Sequence, residues 1–331
     1  MRRLVAALVL TGLVACTGSQ SSGIRTVRLA IHQDPIAFLG VRAAQTLGYC
    51  AEEGLAVETP EFVGGTKAIQ ALLGGSVDVA SATMSDAVQL AIEGRDVRGF
   101  LLFYTRPTAA LAIAPSMRGT IRSIRDLKGR TVGVTSPGST SHQILNYLLL
   151  TNGVSPGDVS TVSIGMAASS VAALEHGTVA AAVILGSAIP AFERRPSGGT
   201  LLVDLRTPEG ARQVFGSDLF PGLGLVAEDH WLRANSDTAR RLTRAITRGM
   251  QWIREHSAEQ VREMIPEGAR MTRESDLLAI RQMQQVLSSD GRIPETAVPL
   301  IEKFVAASNP KLASARLDLA RIYTNEFTSS R

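Results

Sequence analysis

The chain has 331 residues, of which 45% are apolar and 19% charged, and its formal charge is +4. That is enough apolar material for two cored lobes, and too even a charge balance for a nucleic-acid binder. Aromatic residues make up only 5%, which removes base-stacking platforms as well.

The first elements concern export. Met1-Arg2-Arg3 is a short basic head and Leu4–Leu10 is an apolar run, followed by Leu13-Val14-Ala15-Cys16. This is the layout of a signal peptide, too short to span a bilayer stably. Its ending resembles the bacterial lipobox, which implies a lipid on Cys16 and an exported chain held at a membrane, periplasmic or at the cell surface. Residues 17–23 are small and polar and are expected to act as a flexible tether. Beyond the head no apolar run approaches the roughly 18–20 residues of a transmembrane helix. With Cys16 lipidated, Cys50 stands alone, no intrachain disulfide forms, and Cys50 reads as a small buried hydrophobe.

Strand and helix signals then alternate. Val27–Ile31 predicts a strand, and Asp34-Pro35 predicts a helix with Asp34 as N-cap, ending near Gly48. Leu55–Glu58 and Phe62-Val63 are extended. Gly64-Gly65-Thr66 opens a helix carrying Ile69, Leu72 and Leu73, closed by Gly74-Gly75. Val77–Ser81 is a buried strand, Ser85-Asp86 caps the next helix, and Val97–Tyr104 is a further strand. Thr105-Arg106-Pro107 is a hinge candidate.

A second run follows: a short strand near Leu111–Ile113, a helical turn over Ile121–Lys128, a strand at Thr131–Val134, and a helix ending at Thr151. Strand Val162–Ile164, helix Ala168–Glu175, strand Val179–Leu185, edge strand Leu201–Leu205 and return strand Gly222–Val226 complete it. The segment Arg28–Val79 is echoed in register by Arg130–Ala181. Arg28-Leu-Ala-Ile-His-Gln-Asp34-Pro35 matches Arg130-Thr-Val-Gly-Val-Thr-Ser136-Pro137, and Gly75-Ser-Val77 matches Gly177-Thr-Val179. Two similar lobes imply a cleft between them, where small ligands sit. From His230 onward the pattern is helical. Leu242, Ile246, Gly249 and Ile253 form an apolar stripe, and Arg240, Arg244 and Arg248 form a stripe expected to be solvated. The tail is expected to pack on the first lobe and brace the hinge.

Several segments carry a family likeness. Leu47-Gly-Tyr-Cys-Ala-Glu-Glu-Gly54-Leu-Ala-Val57, Gly64-Gly65-Thr66 with Ala71–Ala80, and Ile124–Val134 around Leu127-Lys128-Gly129 resemble, in that order, segments of the solute-binding proteins of ABC importers of the nitrate/sulfonate/taurine type. The likeness covers most of residues 28–255 and fades in the C-terminal helices. Cys50 stands where an aromatic is usual, and His32-Gln33-Asp34 stands where many relatives carry an aromatic contact. The fold class implied is α/β, with two similar Rossmann-like lobes joined by two crossover segments (the type II periplasmic binding protein) and a helical C-terminal tail. The corresponding division is residues 1–22 signal and tether, 23–106 first lobe, 107–220 second lobe, and 221–331 return and tail.

Open α/β sheets bind ligands outside the carboxyl ends of their strands. Those ends carry His32, Gln33, Asp34, Gly64, Gly65, Thr66, Thr83, Met84 and Ser85 in the first lobe. In the second they carry Ser136, Gly138, Ser139, Thr140, Met166 and Gly186. Glycine- and hydroxyl-rich helix starts offer free N–H donors, which suits a sulfonate- or carboxylate-like anion. As caps alone, Asp34, Thr66, Ser85 and Ser136 need touch no ligand, Gly64 and Gly65 need only permit a tight turn, and His32 need only be a satisfied structural histidine. An ionised Asp34 in the cleft would favour an amine or a pyrimidine instead.

The function implied is a lipid-anchored receptor that captures a small organic solute and presents it to a permease and ATPase, with no cofactor and as a monomer. The alternatives are an enzyme on the same fold, of the pyrimidine-precursor or menaquinone-pathway type, and a sensory receptor. Against catalysis, the five histidines have no metal-ligand spacing. Gly138–His142 fails the Gly-x-Ser-x-Gly elbow, with Thr140 at the serine position and His142 at the last, and Gly222-Leu-Gly224 lacks the third glycine of a dinucleotide loop.

Overall fold

The computed structural model describes residues 23–308, 318 and 321–328. Cys16 and the signal segment lie outside them. Among the described residues no helix is long and apolar enough to cross a membrane.

Eleven strands form two sheets. The first holds β1 (Arg25–His32), β2 (Leu55–Glu58), β3 (Glu61–Phe62), β4 (Val79–Thr83), β5 (Val97–Leu102) and β11 (Leu223–Glu228). The second holds β6 (Ala109–Ile113), β7 (Thr131–Val134), β8 (Ser160–Ser163), β9 (Ala181–Leu185) and β10 (Thr200–Asp204). The first runs β2-β1-β4-β11-β5, with β3 pairing onward from β1, and the second runs β8-β7-β9-β6-β10. Position by position these are one topology written twice, and β4 and β9 begin at the residues, Val79 and Ala181, that close the two copies of the sequence repeat.

In each sheet the fourth strand is antiparallel to its neighbours and arrives from the other lobe. Leu223 at the start of β11 pairs with Thr83 at the end of β4, and Ala109 at the start of β6 pairs with Leu185 at the end of β9. Both crossovers therefore enter at the carboxyl ends of the parallel strands. They are stitched to each other there: Phe220 N donates to Thr105 O (2.9 Å) and Gly222 N to Tyr104 O (2.8 Å). The hinge is the floor of the cleft.

Four local expectations need correction. The first helix is Leu39–Thr46, capped at Phe38 rather than Asp34. Asp34 instead caps the turn before it, with Oδ1 accepting from Ile36 N (3.0 Å) and Ala37 N (3.3 Å). The helix Met84–Ile92 is capped by Thr83, in a reciprocal capping box with Asp86, so Ser85 lies inside its first turn. Thr66 is likewise inside the helix Gly65–Leu73, whose N-cap is Gly64. Ser136 precedes the true N-cap, Ser139, of the helix Thr140–Thr151.

The tail is built as its apolar stripe demands. Leu242, Ile246, Gly249 and Ile253 of the helix Ser236–Glu255 are buried against the helix Leu39–Thr46. The crossing is close because both helices present glycine: a Cβ on Gly249 would strike the Gly40 carbonyl, and one on Gly40 would sit 2.7 Å from Met250 Cγ. The arginine stripe is not simply solvated. Arg244 pairs with Glu53 (2.6 Å), Arg248 pairs with Glu52 (2.7 Å) and lies over the Tyr49 ring, and Arg240 donates to Glu326 O. Nor does the tail rest on the first lobe alone. The helix Arg273–Val286 packs on the second-lobe helix Ala188–Glu193, and Arg206 donates to Gln282 at 2.6 Å.

Gly249→Ala is expected to destabilise the protein by about 1–3 kcal/mol, because the extra methyl group overpacks a helix crossing set by two glycines. Urea unfolding of residues 23–331 measures it, with the exposed, unobstructed Gly268→Ala as the control.

Candidate functional site

A cleft, open at its mouth, lies between the sheets at the carboxyl ends of the strands. Of the residues expected from the sequence, His32, Asp34, Gly64, Gly65, Thr83, Ser85, Ser139, Thr140 and Met166 line it. Gln33 and Gly138 are exposed beside it, Thr66 lies in the first turn of its helix, and Ser136 lies in the loop before the N-cap Ser139. Met84 turns away into the core, where its sulfur lies against the strand glycine Gly99. Gly186 lines a smaller neighbouring hollow with Asp34. Residues not anticipated also line the cleft, among them Ser81, Asp86, Thr135, Ile144, Phe220 and Phe304.

Two helix starts face one another across the cleft. The helix Gly65–Leu73 begins after Gly64, in the left-handed region at φ 79°, and no side chain caps it. The helix Thr140–Thr151 begins after Ser139 and is also without a side-chain cap. Ser139 is instead drawn into a hydroxyl triangle with Thr135 and Ser141, with sides of 2.8–2.9 Å. The two starts approach closely enough that a Cβ on Gly64 would lie 3.6 Å from Ser136 Oγ. That hydroxyl is shut off from solvent and has no partner among the described residues. A third helix start, at Met84, is different: it is closed by a capping box, in which Asp86 N donates to Thr83 Oγ1 and Thr83 N donates to the Asp86 carboxylate.

Among the described residues no lysine or arginine lines the cleft, and the ionisable groups that do are His32, Asp34 and Asp86. Both carboxylates are occupied by the protein. Asp86 accepts from Thr83 N (2.9 Å) and Thr83 Oγ1 (2.8 Å), and from Gln143 Nε2 of the second lobe (3.0 Å). Asp34 Oδ1 accepts from Ile36 N (3.0 Å) and Ala37 N (3.3 Å), and the main-chain and hydroxyl groups of Ser187, across the lobes, also favour its charged form. Its Oδ2 lies where a Cβ on Gly186 would project. Burial raises the pKa of both carboxyls, and these hydrogen bonds oppose the rise. The two groups thus tie lobe to lobe.

His32 Nδ1 is 3.4 Å from Ser81 Oγ, and its ring stands edge-on to Phe38 at 4.7 Å. Burial lowers its pKa to about 4, so it faces the cleft as a neutral imidazole. Cys50 is buried and its thiol is pushed up to about 11, an unreactive hydrophobe.

The histidine gives a signed prediction. Its proton is taken up near pH 6.5 in the unfolded chain but only near pH 4 in the fold. Between these values the unfolded state binds more protons, so the stability due to the neutral ring is complete above pH 6.5 and is lost as pH falls toward 4. His32→Gln is expected to make stability less steep in pH across that window, read by urea midpoints at pH 5 and 7. The His32 ring resonance should not titrate above pH 5.

Comparison with known proteins accords with this architecture. A solved structure of a protein from Bordetella bronchiseptica RB50 superposes with a TM-score of 0.85 and 32% identity, covering 91% of this chain and 95% of that one. The alkanesulfonate-binding protein SsuA from Xanthomonas axonopodis pv. citri, bound to MOPS, superposes at 0.68 with 16% identity over 86% of this chain and 94% of its own, a likeness of fold. Putative binding protein YtlA of Bacillus subtilis (strain 168) is 24% identical over 268 residues, 76% of this chain and 73% of YtlA. The family described as NMT1/THI5 like matches residues 36–260, most of both lobes. This two-lobed chain, with the fold of a type II periplasmic binding protein, belongs to the NMT1/THI5-like family.

Proposed function

We propose that the protein is an extracytoplasmic solute-binding receptor of an ABC importer, lipid-anchored through Cys16, that captures a small organic anion between its lobes. The observation that carries this reading is the pair of uncapped helix starts, at Gly64-Gly65 and Ser139-Thr140, meeting in one cleft from opposite lobes. A sulfonate or carboxylate placed between them receives N–H donors and the positive ends of two helix dipoles, so it is held without lysine or arginine. The engaged state of Asp34 and Asp86 supports the same reading. Asp86 takes protein donors on both oxygens, and Asp34 Oδ1 takes two main-chain N–H groups, so these carboxylates are already engaged in holding the fold.

Ligand then acts as the missing contact between lobes. The lobes rotate about the crossovers at residues 103–108 and 205–222, and only the closed state touches the anion from both sides, so binding favours closure. The closed form is what a permease would meet. A neutral imidazole of pKa about 4 is a weak base at neutral pH, which fits capture better than turnover. The names of the relatives, a putative binding protein and an alkanesulfonate-binding protein, agree with this reading.

The test is a thermal-shift panel of sulfonates, carboxylates, amines, pyrimidines and nitrate on residues 23–331. A true ligand at about 100 times its Kd should add about 2.7 kcal/mol of stability. Gly65→Glu has open space for its side chain and should fold normally while weakening an anion at least ~10-fold by like-charge repulsion. An amine or pyrimidine hit lost in Asp34→Asn would contradict the anion assignment.

A further inference from the structure

The helix starts account for a charged head but not for the remainder of a ligand. The cleft has a second kind of wall, made of aromatic rings. One of its components comes from outside both lobes: Phe304, on the C-terminal helix Val298–Ser308. That helix has no counterpart in the repeated unit. It packs at once on the helix Met84–Ile92 of the first lobe and on Thr140–Thr151 of the second. It therefore lies across one helix from each lobe, both of which begin at the cleft.

The Phe304 ring is fixed in place. It stands edge-on to Phe220 at 5.3 Å and to Phe215 at 5.8 Å, and tilted against Tyr147 at 5.0 Å. Phe215 and Phe220 are stacked at 4.0 Å. Phe220 is in turn pinned to the other crossover through Thr105 O. Such edge and offset arrangements are the favoured ones for aromatic rings, and buried rings so packed do not swing freely. Phe220 and Phe304 both line the cleft, as does Ile144, one helical turn beyond Thr140 and on the same face. A group bound at the start of that helix thus has an apolar, partly aromatic surface beside it.

We propose that Phe304, with Phe220, is the specificity-determining wall of this cleft and selects acids that carry an aromatic or compact apolar body over small inorganic or methyl-sized anions. The proposal rests on the receptor reading above and adds the chemistry of the ligand's second half. An acid with a bare head satisfies the helix starts but leaves the apolar part of the cleft unfilled. One with an apolar body packs against the lining that Phe220, Phe304 and Ile144 give it, and apolar contact of that kind is worth about 10–200-fold in selectivity.

Isothermal titration of residues 23–331 with benzenesulfonate, methanesulfonate and benzyl alcohol tests it, in the parent and in Phe304→Leu and Phe304→Ala. Leucine keeps most of the apolar volume, and a thermal melt of each variant reports its folding. Benzenesulfonate is expected to bind at least ~10-fold more tightly than methanesulfonate, and that ratio is expected to fall at least ~5-fold in Phe304→Leu. A ratio near one in the parent, or a ratio unchanged in folded Phe304→Leu, overturns the proposal. Binding of benzyl alcohol without either sulfonate, lost in Phe304→Leu, upholds the wall and rejects the anion head. Binding of none of the three rejects both.

Discussion

The constraint on which everything else depends is the single reversed strand in each sheet. β6 and β11 run antiparallel to their neighbours and begin beside the carboxyl ends of β9 and β4. Because the chain can pass between lobes only where these strands enter, both crossovers lie at the carboxyl edge of the sheets. The carboxyl edges therefore face each other, and the loops that leave β1, β3, β4, β7 and β8 open into the same cleft. The helix starts, His32 and the two buried carboxylates share one site as a consequence.

Closure is held by polar contacts as well as by the chain. Asp86 reaches Gln143, and Asp34 reaches Ser187, each from the first lobe to the second. Both carboxylates also serve a local structure, a capping box in one case and a turn in the other. An opening motion would leave each with fewer donors in a buried setting, which carries a cost. The C-terminal helices add apolar contacts to both lobes on either side of the hinge. The relative placement of the lobes is thus held by polar and apolar contacts as well as by the two crossovers.

The repeat, the glycine punctuation and the apolar strand runs made most of the fold legible. The helix Ala168–Glu175 and the strand Thr131–Val134 were readable residue for residue, because strong local pattern and packing agree there. Caps were read less well. Asp34-Pro35 looks like a helix start, but four further residues pass in a turn before the helix begins. At Thr83–Asp86 the Thr-x-x-Asp spacing that marks the actual cap is present in the sequence, with Ser85, a cap-type residue itself, inside the first turn. What no local signal could give is pairing across long separations. Arg244 and Arg248 look solvated until docking brings Glu53 and Glu52 beneath them, and nothing near Phe304 announces a cleft residue. The helix starts were legible as chemistry; the aromatic wall beside them depends on where the tail folds back.

The most direct test of the account is a crystal structure of residues 23–331 soaked with benzenesulfonate. The account predicts closed lobes, with sulfonate oxygens within hydrogen-bonding distance of first-turn N–H groups at both Gly65–Lys67 and Thr140–His142. A sulfonate held by only one lobe, or bound elsewhere on the protein while the two helix starts stay unengaged, would contradict it.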